Sequence, residues 1–187
     1  MKALSILLLI LSLNYSCGNN KNIGQEKQSN NTAVKTDESR KIVKKYGFQF
    51  SIPKNWENQE TDLKAIDLKG QIKSIETSYV DANLQSCIKL IFHPDKAGLT
   101  LYNYYNENKS IKSKHFNIAG QSAIMIKEQL TRDGKGHILP KPLIRHKIYL
   151  LSPNHKGLLE IVYNLPKNNI KAKQVFEHFI QKIRLIK

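Results

Sequence analysis

From Tyr46 onward, apolar and polar residues alternate in short runs with the period of a pleated strand. Tyr46, Phe48, Phe50 and Ile52 fall on one side and Gly47, Gln49 and Ser51 on the other. The run ends at Pro53 and predicts a half-buried strand, with Trp56 capping the core edge. Leu63–Lys69 and Ile72–Val80 predict two further strands around Gly70, and Asp81–Asn83 a turn. Leu84–His93 is a strongly apolar run closed by Pro94. Leu101 and Tyr105 stand one helical turn apart, so Thr100–Asn108 reads as a short helix. His115–Ala119 and Gln121–Leu130 are strand-like on either side of Gly120. Asp133-Gly134 marks Arg132–Gly136 as a turn, and two prolines make Ile138–Pro142 a loop.

The clearest hairpin joins Leu143–Leu151 to Leu158–Leu165. With Leu151 opposite Leu158, one face carries Ile144, His146, Ile148 and Leu150 beside Leu159, Ile161, Tyr163 and Leu165, which is a core face. The other carries Arg145, Lys147, Tyr149, Glu160 and Asn164 and is expected to be wet or thinly covered. After Pro166, Asn168 or Asn169 is placed to cap a helix. Ile170, Val175, Phe176, Phe179, Ile180 and Ile183 share its apolar stripe. Lys182, Arg184 and Lys187 lie near its end, where cations suit the helix dipole. Antiparallel strands with packed helices predict an α+β domain.

The first 45 residues follow another pattern. Met1-Lys2 begins the chain with positive charge, and Ala3–Leu13 is an apolar run of eleven residues. Spanning a bilayer as a helix takes about 20, so the run suits a signal-peptide core. Asn14-Tyr15-Ser16-Cys17 follows, and then polar Gly18-Asn19-Asn20-Lys21. A cysteine so placed resembles the lipobox of bacterial lipoproteins in its looser, Bacteroidetes-type form. Ser16 fits the small position before the cut, whereas Asn14 and Tyr15 depart from the usual leucine and small residue. The resemblance implies removal of residues 1–16, acylation of Cys17 and anchoring in a membrane. Gly18 instead of Asp, with no acidic cluster after it, implies the outer membrane and a periplasm-facing domain. Two or more acyl chains hold such an anchor firmly. Residues 17–45 carry almost no apolar side chain before Ile42-Val43, so a disordered tether is expected there. A flexible coil of that length spans roughly 25–30 Å. Residues 46–187 remain for the domain.

Charge narrows the partners. The chain carries +15 net, from 26 Lys and four Arg against 15 acidic residues. Lysines scattered along a chain make a solvated surface, while planar recognition of phosphate favours Arg. Together with export, this argues against nucleic acid. With lipid on Cys17, Cys87 serves as a small buried hydrophobe; the rival arrangement is a Cys17–Cys87 disulfide in an unlipidated chain.

The domain as a whole carries a second resemblance. Tyr46-Gly47-Phe48-Gln49-Phe50-Ser51-Ile52-Pro53-Lys54-Asn55-Trp56, Ile118-Ala119-Gly120-Gln121-Ser122-Ala123 and the closing Phe176-x-x-Phe179-Ile180-x-x-Ile183 resemble the Mog1/PsbP-like family. That family includes photosystem oxygen-evolving-complex subunits, Ran-binding nuclear proteins and bacterial envelope lipoproteins. The resemblance implies an antiparallel sheet with packed helices, an α/β/α sandwich, and a binding or assembly role rather than catalysis. The matching residues are structural, so no functional residue carries over.

Candidate chemistry is sparse. His93, His115, His137, His146, His155 and His178 show no ligand spacing with Cys or carboxylate, and no HExxH, G-x-S-x-G, GxGxxG or P-loop occurs. Glu128 and Asp133 read as a strand and a turn carboxylate. No enzyme activity, metal or cofactor is expected. His146 reads as a hydrogen-bonded core histidine. Two surfaces are candidates for a partner: the aromatic cluster of Tyr102, Tyr104 and Tyr105, and the Arg145-Lys147-Tyr149 face near the Lys135–Lys141 loop. The expected function is a tethered assembly module binding an envelope protein. The alternatives are an immunity-type inhibitor of a periplasmic toxin and a binder of anionic glycan or lipid headgroups.

Overall fold

The computed structural model describes residues 40–186 apart from 82, 110, 134, 154 and 155. The leader, Cys17 and the tether as far as residue 39 lie outside the described residues. Ten strands and two helices follow one another: β1 Arg40–Lys45, β2 Phe48–Pro53, β3 Glu57–Ile66, β4 Ile72–Asp81, β5 Ser86–Pro94, α1 Asp95–Glu107, β6 Ser113–Ile118, β7 Gln121–Arg132, β8 Ile138–Leu151, β9 Gly157–Pro166, α2 Ile170–Gln181 and β10 Arg184–Leu185. Among the described residues every strand pair is antiparallel. The class is α+β.

Strands β3-β4-β5-β9-β8-β7-β6 form one sheet in that order, and β1-β2-β10 a small second one. The β8–β9 register sets Leu151 opposite Leu158 and Ile144 opposite Leu165, as the hairpin pattern predicts. Alternation then divides the large sheet by face. Ile148, Leu150, Leu159, Ile161 and Tyr163 meet β2 and α2, with Phe48, Phe50, Trp56, Phe176 and Phe179 in one buried cluster. Phe50 stacks on Phe179 with centroids 5.9 Å apart, and Tyr163 on Phe176 at 4.6 Å. The opposite face carries Ile124, Ile126, Tyr149 and Leu158, which α1 covers with Tyr102. Helices therefore lie on both sides of the large sheet, and the small sheet joins the α2 side.

Trp56 does more than edge the core. It is buried, and its indole N–H donates to Asp81 Oδ2 at 2.9 Å. Asp81 Oδ1 in turn accepts the backbone N–H groups of Asn83 and Leu84, so one carboxylate closes the β4–β5 turn.

Four sequence expectations shift. The tether boundary at residue 45 moves back, because Arg40–Lys45 is strand β1 paired along its whole length with β2. Its ordering is tertiary: Lys41 Nζ donates to the Trp56 carbonyl at 2.8 Å and Lys45 Nζ to Thr77 Oγ1 at 2.9 Å. Ile138–Pro142 is extended strand rather than loop. β9 ends opposite Leu143, so these residues face no strand on that side and the missing proline N–H groups break no ladder there. Helix α1 begins at Asp95, earlier than its apolar spacing indicates. On α2, Asn169 is the cap and accepts from Ala172 N, but Ile170 points outward and is 71% exposed.

Candidate functional site

The residues singled out from sequence are not one surface. Tyr102 and Tyr149 are buried. Tyr102 O–H donates to Ser122 Oγ at 3.0 Å. Tyr105 is half-buried and stacks on Tyr149 at 4.3 Å, so both fasten α1 to the sheet, while Tyr104 is 55% exposed. Under α1, Glu160 Oε2 lies 2.9 Å from His93 Nε2, and Glu160 Oε1 accepts the Tyr149 O–H at 3.3 Å. Burial, the Glu160 charge and Tyr105 hold the Tyr149 phenol well above its ordinary pKa. Arg145 and Lys147 lie further along the same face. Arg145 Nε donates to Asn164 Oδ1 at 3.0 Å, and Lys147 pairs with Glu128 at 3.2 Å. Glu128 offsets the Lys147 charge, whereas the neutral Asn164 amide orients Arg145 without cancelling its charge.

Open space lies elsewhere, at the start of α2. Two adjoining concavities, about 710 and 420 Å³, share the Lys167-Asn168-Asn169-Ile170 connection as their common wall. The larger is closed by Gln85, Lys141, Pro142, Pro166 and Lys171. The smaller is floored by Ile144, His146 and Leu165 and flanked by Lys127 and Lys173. Among the described residues, five lysines thus line the cleft and no carboxylate does. Lys171 and Lys173 sit in the first turn of α2, which has no acidic residue. Cations at that pole oppose the helix dipole and add to the positive charge there. Lys173 has Glu177 at 3.7 Å, an exposed i,i+4 pair of small effect.

His146 is apolar-face core, as read from sequence, but its imidazole is not fully satisfied. Its ring packs on Phe176 at 4.9 Å, and Nδ1 is buried without a hydrogen-bond partner among the described residues. Burial first, then Lys127 and Lys173, push its pKa down to about 4 against the opposing charge of Glu177. It is neutral at neutral pH and adds no charge to the cleft. Sequence reasoning missed this cleft because its lysines come from β7, β8, the β9–α2 connection and α2, with no local motif joining them. Among the described residues, no three His, Cys, Asp or Glu side chains gather in a way that would hold a metal ion. No described helix is long and apolar enough to cross a membrane.

Cys87 is buried in β5, as expected, but is disulfide-bonded rather than a free thiol. Asn164 Nδ2 lies 3.6 Å from its sulfur. The only other cysteine in the chain is Cys17. One sulfur cannot hold both a thioether-linked lipid and a disulfide, so lipid on Cys17 and a Cys17–Cys87 bond exclude each other.

No protein-family model matches the chain. No curated protein matches it either. Among solved structures, it is similar to a protein from Bacteroides thetaiotaomicron VPI-5482, with a TM-score of 0.51 and 15% identity over 80% of this chain. This chain spans about half the length of that protein, 49%. It is also similar in outline to the Saccharomyces cerevisiae Ran-binding protein Mog1p, with a TM-score of 0.43, 11% identity, and 80% and 96% of the two chains covered. A Mog1 point mutant gives 0.44 and 11%, over 79% and 96%. At these identities the likeness is one of fold alone.

Proposed function

We propose that the chain is an exported, lipid-tethered, non-enzymatic module that grips an acidic protein partner in the lysine-lined cleft beside α2. The observation that carries this reading is a concave surface with five lysines and no carboxylate among its described residues, with the side chain of Ile170 71% exposed on its shared wall. An acidic partner neutralises the lysines, and an apolar contact on Ile170 adds desolvation at the centre of the patch. The leader, the Cys17 lipobox and the polar run after it support export and tethering. The disulfide at Cys87 belongs to an unacylated chain and lends tethering no support. In the tethered chain Cys17 carries lipid instead, and the two states differ in mass.

A photo-crosslinker at Asn168, in cells, tests the partner. It should trap a defined envelope protein, and Lys171→Glu with Lys173→Glu should abolish the adduct while leaving the fold intact. An adduct that survives this charge reversal contradicts the reading. So does the absence of any adduct from a chain shown to be exported.

A further inference from the structure

We propose that the tip of the β3–β4 hairpin is a second docking element, one that inserts into an anionic lipid surface. Nine large hydrophobics are exposed among the described residues; Ile66 at 59%, Leu68 at 96% and Ile72 at 38% stand at the tip, and Leu63 at 43% lies further back, opposite Glu76. The hairpin projects. The β4–β5 ladder ends at Ile75 with Phe92 and β5 itself ends two residues later at Pro94, so Ile72, the facing end of β3 and the 67–71 turn between them reach past β5.

The tip is held in shape rather than loose. Asp67 Oδ1 accepts the N–H groups of Lys69 and Gln71, both at 2.9 Å, and the Asp67 N–H donates to the Gln71 carbonyl at 2.9 Å. Gly70 supplies the positive φ, +77°, that the turn needs. Leu68 is thereby presented outward at the apex. Lys64, Lys69 and Lys73 flank it in the hairpin, all exposed; Lys73 pairs with Asp67 at 3.0 Å, which leaves Lys64 and Lys69 as the excess positive charge beside the apolar tip. That charge suits anionic headgroups, with long lysine stems running along the apolar boundary.

A second copy of the chain fits less well. β3 is an edge strand, but three register shifts interrupt its ladder, between Asn58 and Glu60, Glu60 and Leu63, and Ala65 and Ile66. Bulged edges resist strand addition. Chain geometry favours the bilayer. The pairings Glu57–Val80 and Asp81–Ser86 put the start of β3 at the opposite end of the strands from the tip, together with Gln85 of the cleft. A tip seated in lipid therefore turns the lysine cleft away from the bilayer. The 22 residues between Cys17 and Arg40 reach about 70 Å extended, more than the roughly 30 Å length of β4. The biological setting rests on the tethered reading; the vesicle test does not.

The chain from Cys17 onward, made without its leader and so unacylated, retains every described element. It should co-sediment with phosphatidylethanolamine–phosphatidylglycerol vesicles and much less with phosphatidylcholine vesicles. Leu68→Asp should weaken this partition about tenfold or more, and added salt should weaken it further. In Leu68→Trp the new indole should shift to the blue and be quenched by brominated lipid, whereas Trp56, buried at 1% exposure, stays unquenched. The proposal is overturned if the chain stays in the supernatant, or if Leu68→Asp binds as well as the parent. An unquenched Leu68→Trp on bound vesicles overturns it too, since it means lysine adhesion without insertion. So does self-association lost in Leu68→Asp without vesicle binding, which makes the tip an interface between copies. Missing acylation at Cys17 in cells would remove the tether but leave every one of these results unchanged.

Discussion

Replacing His146 with leucine should alter how stability depends on pH. In the folded chain this imidazole lies against Phe176, with Nδ1 buried and unpartnered among the described residues, and its pKa is down at about 4; in the unfolded chain it returns to about 6.5. The folded pKa is depressed, so the unfolded chain binds the proton more readily. The stability this group leaves in place above pH 6.5 is lost as pH falls toward 4. At about 1.4 kcal/mol per unit, the whole loss is about 3 kcal/mol, and about 2 kcal/mol is gone by pH 5. The ring lines the cleft and is only part-buried, which makes these values upper bounds. Asp62, Asp67 and Asp133, whose pKa values are lowered, and His178, also lowered, push stability the same way. The informative quantity is therefore the difference between parent and variant. Urea unfolding followed by the single Trp56 should show the His146→Leu variant gaining on the parent by up to about 2 kcal/mol between pH 7 and pH 5. A difference that stays flat over that window refutes the burial argument.

Three further outcomes follow from the same contacts. Asp81→Ala orphans the Trp56 indole N–H and two turn amides, and should cost about 2–4 kcal/mol in urea unfolding, with Asp81→Asn milder. At Gly98 a Cβ would stand 2.5 Å from the His93 carbonyl and 2.7 Å from Leu158 N, so Gly98→Val should force α1 off β9 and lower the thermal midpoint by several degrees. Tyr105→Ala should cost about 1–2 kcal/mol by removing the stack on Tyr149, seen as faster amide exchange in α1.

Local pattern was enough where an element's own side chains face the core. The β8–β9 register, the half-buried β2 and the Asn169-capped α2 were legible because period and caps are written in consecutive residues. β1 was not, since Ile42 and Val43 stand among lysines and the strand is ordered by β2, the Trp56 carbonyl and Thr77. β10 has two residues, too few for any period. The aromatic pattern at Tyr102 and Tyr105 was visible, but whether it faced solvent depended on Tyr149 and Ser122, more than fifteen residues away. The cleft was the least legible feature. Lys127, Lys141, Lys167 and the α2 lysines look like solvated charge until β7, β8 and the β9–α2 connection bring them around one hollow.

Tethering is the claim on which the compartment, the partner and the orientation of the tip depend, and the intact mass of the chain extracted from cell membranes tests it most directly. A tethered chain lacks residues 1–16 and carries acyl mass on Cys17. A mature chain without acyl mass, yielding a linked Cys17–Cys87 peptide, contradicts tethering, as does an uncleaved chain in the soluble fraction.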